Sequence, residues 1–323
     1  MTTVRRWLAQ RTPERIKDAI YRRPLGEIRK LQSLGLDGYF LLDKWANNME
    51  LAATTLPRVA FSTPSLEIWY LTGAKFWYQT TFCAWSLAKY SRQNIALRLV
   101  DDGTLEAWQI NHMKRIFADV IVHTSASCDF TIDKLLPLNK FPKLRRLRRV
   151  YPHIRKLTDV HVGSAGHKLV MDSDMLFFAS PQPLMDWLAS AGALGPIYMM
   201  DVVESYGYPR AALEELVGGA VPIRVNVGIC GLRSELVDWD EIEYWCNTLQ
   251  SRFGNSYYLE QALVAMLVAR QNGCQLPAST YIVLPNRLQI KNKCDILQHY
   301  VAESKKHYLK FGWRGVMDNV VIT

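Results

Sequence analysis

Eleven residues constrain this chain more than any others: Lys168 to Phe178, reading KLVMDSDMLFF. The apolar run Leu169-Val170-Met171 leads into Asp172-Ser173-Asp174, and a second apolar run, Met175 to Phe178, follows. Apolar flanks of this kind suit a strand buried on both faces, as in a parallel or mixed α/β sheet. Two carboxylates at the end of such a strand repel each other and lose hydration unless something positive joins them. At i and i+2 on a strand, both can project to one side and reach one cation. Hard oxygen ligands favour Mg²⁺ or Mn²⁺ over zinc. Asp172 and Asp174 are therefore read as a divalent-metal clamp for a phosphorylated substrate. The plainer reading of the same residues is an Asx turn with exposed carboxylates.

The chain has 323 residues, enough for one large α/β domain plus an extension. No apolar run approaches the roughly 18–20 residues of a membrane span. The first residues carry positive charge but no apolar signal-peptide core. Six cysteines lie far apart with no CxxC pair, which argues against zinc and a disulfide framework and fits a reducing cytosol. A cytoplasmic location is expected.

The net charge of +9 is concentrated in two places. Residues 1–30 hold nine Lys/Arg against three Asp/Glu, and residues 143–156 (KLRRLRRVYPHIRK) hold seven against none, leaving the rest of the chain acidic. Such patches meet anionic partners or form solvated helix faces. Residues 1–60 read as a basic helical extension, with a helix start at Thr12-Pro13-Glu14 and a second helix over Tyr39 to Thr54. That segment either lies on an anionic membrane or packs as a layer on residues 61–323.

From Leu66 the pattern alternates. Strands are expected at Glu67–Leu71, Ile95–Val100 and Val120–His123, with helices over Lys75–Ser91 and Leu105–Phe117 between them, the spacing of a doubly wound sheet. The basic run 143–156 is expected as one helix before the Asp-Ser-Asp strand. Ligands of such sheets gather at the carboxyl ends of strands, so the loops after Leu71, Val100 and Met171 share one rim. Asp101 and Asp102, before Gly103, sit there or act as plain turn residues.

Five pieces, in order, resemble the retaining nucleotide-sugar transferases of glycosyltransferase family 8, the glycogenin and galactosyltransferase type: LRLVDDGTL (97–105), KLVMDSDMLFF (168–178), RVNVGICGL (224–232), LEQALVAML (259–267) and HYVAESK (299–305). The resemblance covers about Leu66 to Gly312. It implies a GT-A fold, a Rossmann-like mixed or parallel sheet flanked by helices. It implies transfer of a sugar, with retention, from a nucleoside-diphosphate sugar (UDP by default) to a glycan or lipid-linked acceptor. Asp172, Asp174 and His299 would then hold Mn²⁺ or Mg²⁺ against the diphosphate, and Lys305 would neutralise the departing diphosphate. Asp101 and Asp102 would lie by the nucleoside, Lys156 by the donor, and Asn226 and Asp201 on donor-sugar hydroxyls. Glu260 and Gln261 would face the reacting side of the anomeric carbon.

The chain departs from the family pattern where an Asp-Asp-x-x-Tyr would end the first strand; it has Leu71-Thr72-Gly73-Ala74-Lys75. Ala302 replaces the glycine of the H-x-x-G segment, and the Pro-Trp after the lysine is missing. Two other classes were weighed. A haloacid-dehalogenase-like phosphatase would use Asp172 as nucleophile, but its motif opens the domain, whereas here three βα units precede it. A nucleic-acid-binding protein would use 143–156, which lacks interleaved aromatics and any reader motif, so nucleic acid is not an expected partner.

Overall fold

The computed structural model describes residues 23–190 and 194–317. The helix start expected at Thr12-Pro13-Glu14, and residues 1–22 of the basic extension considered for membrane contact, lie outside them. Among the described residues, no helix is long and apolar enough to cross a membrane.

A seven-stranded sheet forms the centre, in the order β3-β2-β1-β4-β7-β6-β8. Its strands are β1 (Ser65–Thr72), β2 (Asn94–Asp101), β3 (Asp119–His123), β4 (His167–Met171), β6 (Ile197–Met200), β7 (Val225–Arg233) and β8 (Cys274–Gln275). β3, β2, β1 and β4 run parallel, and β7 runs antiparallel to both β4 and β6. A small second sheet holds β5 (Met175–Phe177), β10 (Leu297–His299) and β9 (Tyr281–Val283). The protein is thus a mixed α/β fold with a largely parallel sheet.

Alternation along the strands sorts the core. Ile68, Tyr70, Leu97, Leu99, Leu169 and Met171 join one apolar cluster, whereas Trp69, Val100 and Val170 join another on the opposite face. The helices follow suit. α1 (Arg23–Ala53) is interrupted at Gly35, with φ 72° and ψ 173°. α2 (Trp77–Ser91) is buried from Trp77 through Ala88, so it is enclosed all round rather than amphipathic, with Thr80, Thr81 and Ser86 hydrogen-bonded inside. Trp45, Met49 and Ala53 of α1 belong to the same cluster as α2, and Trp77 Nε1 donates to Glu50 at 2.6 Å. Further helices are α3 (Ala107–Ile116), α4 (Ser125–Leu135), α5 (Pro142–Val150), α6 (Arg155–His161), α7 (Gln182–Ala189), α8 (Arg210–Val217), α9 (Trp239–Phe253) and α10 (Leu259–Arg270). α10 is buried from Leu259 through Val268 and packs on the β7 side.

Two expectations are corrected. The basic run is two helices, because Pro152 lacks an N–H and pushes the preceding residue out of the helical region; Tyr151 has φ −137° and ψ 85°. Four of the run's seven basic side chains also make internal ion pairs: Arg145 with Asp133, Arg148 with Asp129 and Asp159, Arg155 with Asp159, and Lys156 with Asp172. Second, Asp172 and Asp174 do not lie on one strand. The chain bends between them and passes from the large sheet, β4, into the small one, β5.

Candidate functional site

That bend is placed from both sides by strand register. In the large sheet Met171 pairs with Ile229 of β7, and the next residue continues the ladder: Asp172 N donates to the Gly228 carbonyl at 2.8 Å. In the small sheet Met175 pairs with His299 of β10, so Tyr300 N donates to the Asp174 carbonyl at 2.8 Å. The side chain between the two, Ser173, is held by Thr80 of α2 with hydroxyl oxygens 2.7 Å apart, and Thr80 in turn meets Thr72 of β1 at 2.8 Å. Antiparallel pairing therefore carries His299 to the carboxylates from 125 residues away.

His299 Nε2 lies 3.2 Å from Asp174 Oδ1 and 3.7 Å from Asp172 Oδ2. One ligand atom from each of the three residues lies within 4.8 Å of the others. His299 is almost wholly buried, and the carboxylates are 25% and 15% exposed, so the group is open on one side only. Asn226 orients the imidazole. Its Oδ1 accepts from Gly228 N at 2.9 Å, and its Nδ2 donates to Asp201 Oδ2 at 3.1 Å, which fixes the amide. That oxygen is 3.2 Å from His299 Nδ1, so Nδ1 donates to it. Nε2 is left facing two carboxylate oxygens. Two carboxylates and an imidazole nitrogen converging at this spacing fit a divalent cation, for which both are ordinary ligands.

Gly228 is needed for this approach. A Cβ there would stand 2.5 Å from His299 Nδ1 and Cε1 and 2.8 Å from Asn226 Oδ1. Gly228→Ala is expected to push the imidazole aside and weaken Mn²⁺ binding by about tenfold or more, as loss of a ligand's supporting contact does. Calorimetric titration with Mn²⁺ checks it; unchanged affinity would remove His299 from the ligand set.

Two lysines flank the group. Lys305 Nζ is 2.9 Å from Asp174 Oδ2. Lys156 Nζ, on α6, is 2.6 Å from Asp172 Oδ1 and 3.4 Å from Glu260 Oε1. Burial opposes the charge on Lys156, but Asp172 and Glu260 outweigh it and hold the ammonium above its usual range. Burial likewise opposes the charge on Asp174, yet Lys305 and His299 keep that carboxyl well below the ordinary carboxylate range. Lys305 is raised chiefly by Asp174. Glu260 goes the other way. Burial pushes it up to about 7, with Asp172 adding to the rise and Lys156 opposing it. In the first turn of buried α10, Glu260 is thus a carboxyl poised to hold or lose a proton near neutral pH.

A cleft of about 550 Å³ opens over this group. Asp102, Lys156, Asp172, Asp174, Asp201, Asn226, Glu260, Gln261, His299 and Lys305 all line it. Gln261 Nε2 donates to Asp201 Oδ2 at 3.2 Å, joining α10 to the Asn226 amide. Asp101 is not among the lining residues. Its Oδ1 accepts from the backbone N–H groups of Gly103, Thr104 and Leu105, so it caps the turn that Gly103 starts with φ 98°. Asp102 lies hard against Gly73, where a Cβ would come 2.1 Å from its Oδ1. The lining also includes residues that sequence reasoning did not select: Tyr151, His153, Tyr257 and Tyr258. Their only signal was Tyr257-Tyr258 immediately before the helix that carries Glu260.

No protein-family profile and no curated sequence matches the chain. Its course is similar to that of several solved structures. With mouse xyloside xylosyltransferase 1 the identity is 11% and the TM-score 0.46, over 73% of this chain and 96% of that one. With the galactosyltransferase LgtC, solved with donor and acceptor sugar analogues, the identity is 12% and the TM-score 0.49, over 78% of this chain and 100% of that one. With the bifunctional glycosyltransferase WbbM the identity is 11% and the TM-score 0.45, over 75% of this chain and 46% of that one. Each of these neighbours is a glycosyltransferase, and the likeness is loose, one of overall course.

Proposed function

We propose that the protein is a divalent-metal-dependent glycosyltransferase that moves a sugar from a nucleoside-diphosphate sugar, UDP-linked by default, to a hydroxyl of a glycan or lipid-linked acceptor. The observation that carries this reading is the convergence of Asp172, Asp174 and His299 Nε2 at the floor of a cleft that also holds Lys305. A cation bound there screens the charge of a diphosphate.

The chain's own groups have separate tasks in this proposal. Lys305 is 40% exposed, so it can swing from Asp174 to the leaving diphosphate and stabilise the charge that develops on it. Lys156 anchors Asp172 through their ion pair. The linked Asp201, Asn226 and Gln261 present a fixed set of donors and acceptors suited to sugar hydroxyls. Asp102 lies toward the nucleoside, at the ends of β1 and β2. Glu260 and Gln261 stand on the reacting side. In the transfer the bond from the anomeric carbon to the phosphate oxygen breaks and the acceptor oxygen bonds to that carbon on the same face. The acceptor's proton passes to the departing phosphate oxygen, and configuration is retained.

Isothermal titration with UDP, with and without Mn²⁺, and with GDP as control, tests the reading. Mn²⁺-dependent binding of UDP in preference to GDP is expected. If neither nucleotide binds with metal present, the donor assignment fails. Phosphate release from p-nitrophenyl phosphate that disappears in Asp172→Asn would instead make the protein a phosphatase.

A further inference from the structure

The cleft has an aromatic wall that the donor groups do not use. Tyr257 is 68% exposed and Tyr258 43%, although both are large rings lining the cleft. They are not loose. The Tyr257 ring meets His153 at 5.2 Å and 78° and Tyr258 at 5.3 Å and 87°, both edge-to-face. Tyr151 meets His153 at 5.4 Å. Tyr151 also donates its hydroxyl to the Tyr257 carbonyl at 2.5 Å and accepts from Glu260 N at 3.2 Å. Burial, with help from Lys156, lowers the His153 pKa, so the imidazole stays neutral among the rings. An exposed ring braced in this way loses little freedom when something stacks on it.

We propose that Tyr257, braced by His153, Tyr258 and Tyr151, is the stacking platform for a pyranose ring of the acceptor. This rests on the transferase reading only in calling that sugar the acceptor. The C–H face of a pyranose carries slight positive charge and packs on the negative face of an aromatic ring, while its hydroxyls point outward to polar neighbours. Position favours sugar over nucleobase. The platform is tied directly to the first turn of α10, next to Glu260 and Gln261, whereas Thr72 and Asp102 mark the strand ends where a nucleoside would sit. A ring stacked on Tyr257 holds its hydroxyls beside the reacting groups. The platform therefore makes the acceptor a carbohydrate rather than a protein side chain or a bare lipid phosphate.

The test uses the full chain with UDP and Mn²⁺ on an array of immobilised mono- and oligosaccharides, together with titration of UDP in solution. The wild type is expected to retain at least one glycan. Tyr257→Ala should lower that retention about tenfold or more, and Tyr257→Trp should restore it, with UDP affinity unchanged in all three. Glycan retention unaffected by Tyr257→Ala, or no glycan retained by the wild type, overturns the platform. So does a loss of UDP affinity in Tyr257→Ala, which would make the ring a nucleobase stacker. Absence of UDP binding in the wild type speaks instead against the donor assignment, so the two ideas fail separately.

Discussion

Asp174→Ala is expected to remove metal-dependent transfer, lowering kcat/KM by about a thousandfold or more, while leaving the fold nearly as stable as before. The substitution deletes one of three candidate ligands and the partner of Lys305 at once. Loss of fold should be small for two reasons. Lys305 is 40% exposed and can turn to water, so no buried charge is stranded. Removing one of two adjacent carboxylates also relieves repulsion with Asp172. Turnover of a UDP-sugar with Mn²⁺, set beside thermal unfolding of the same samples, checks both halves. Full activity in the variant would end the metal reading; collapse of the melting curve would show that the pair is structural first.

The largest stability effect is expected away from the cleft, at Asp159. Its side chain is fully buried and receives Arg148 Nε at 2.6 Å, Arg148 Nη2 at 2.9 Å and Arg155 Nε at 2.9 Å. Asp159→Asn leaves the Arg155 guanidinium without its counter-charge and Arg148 with Asp129 alone, each guanidinium being 10% exposed. Breaking a buried pair from one side costs about 3–5 kcal/mol. The exposed pair Lys140–Asp240, at 55% and 64% exposure, is worth at most about 1 kcal/mol by comparison. Burial disfavours the Asp159 charge, yet Arg148 and Arg155 more than offset it and depress the carboxyl pKa. The stability it adds is therefore complete above the ordinary carboxylate range and is lost as pH falls through the depressed folded value. Urea unfolding at neutral and acid pH should show a wild-type–variant gap that narrows with acid; a gap independent of pH would mean that packing, not charge, is what Asn disturbs.

The site's parts were legible wherever local pattern and chemistry coincide. Apolar runs flanking Asp172-Ser173-Asp174 marked a sheet interior broken by charge. Asn226 and Glu260 were picked out only through the family resemblance, since local pattern alone reads them as a core amide and a helix-start acid. What local pattern does not contain is register. Nothing in KLVMDSDMLFF says that Met175 leaves β4's sheet and pairs with His299, so the two aspartates were expected on one strand. The run 143–156 shows the same gap. Its charges are visible in sequence, but their partners, Asp133, Asp159 and Asp172, are met only after the chain folds around β3 and β4. Asp101 and Asp102 are adjacent and chemically alike, and both accept from the turn's Thr104 N–H, yet only Asp102 lines the cleft. Tyr257 was overlooked because an aromatic beside a helix usually belongs to the core, and only its exposure distinguishes it.

The bend at Ser173 also has a mechanical side. The two halves of the candidate cation site ride on different sheets: Asp172 on the ladder of β4 and β7, Asp174 and His299 on that of β5 and β10. Any ion gripping all three is a rivet through the seam. Its affinity and the cohesion of the two sheets are then one quantity seen from two sides. Looseness at the seam reduces grip on the ion, and an ion in place stiffens a joint otherwise held by the shared apolar cluster, Ser173 and the contact of His299 with Asn226.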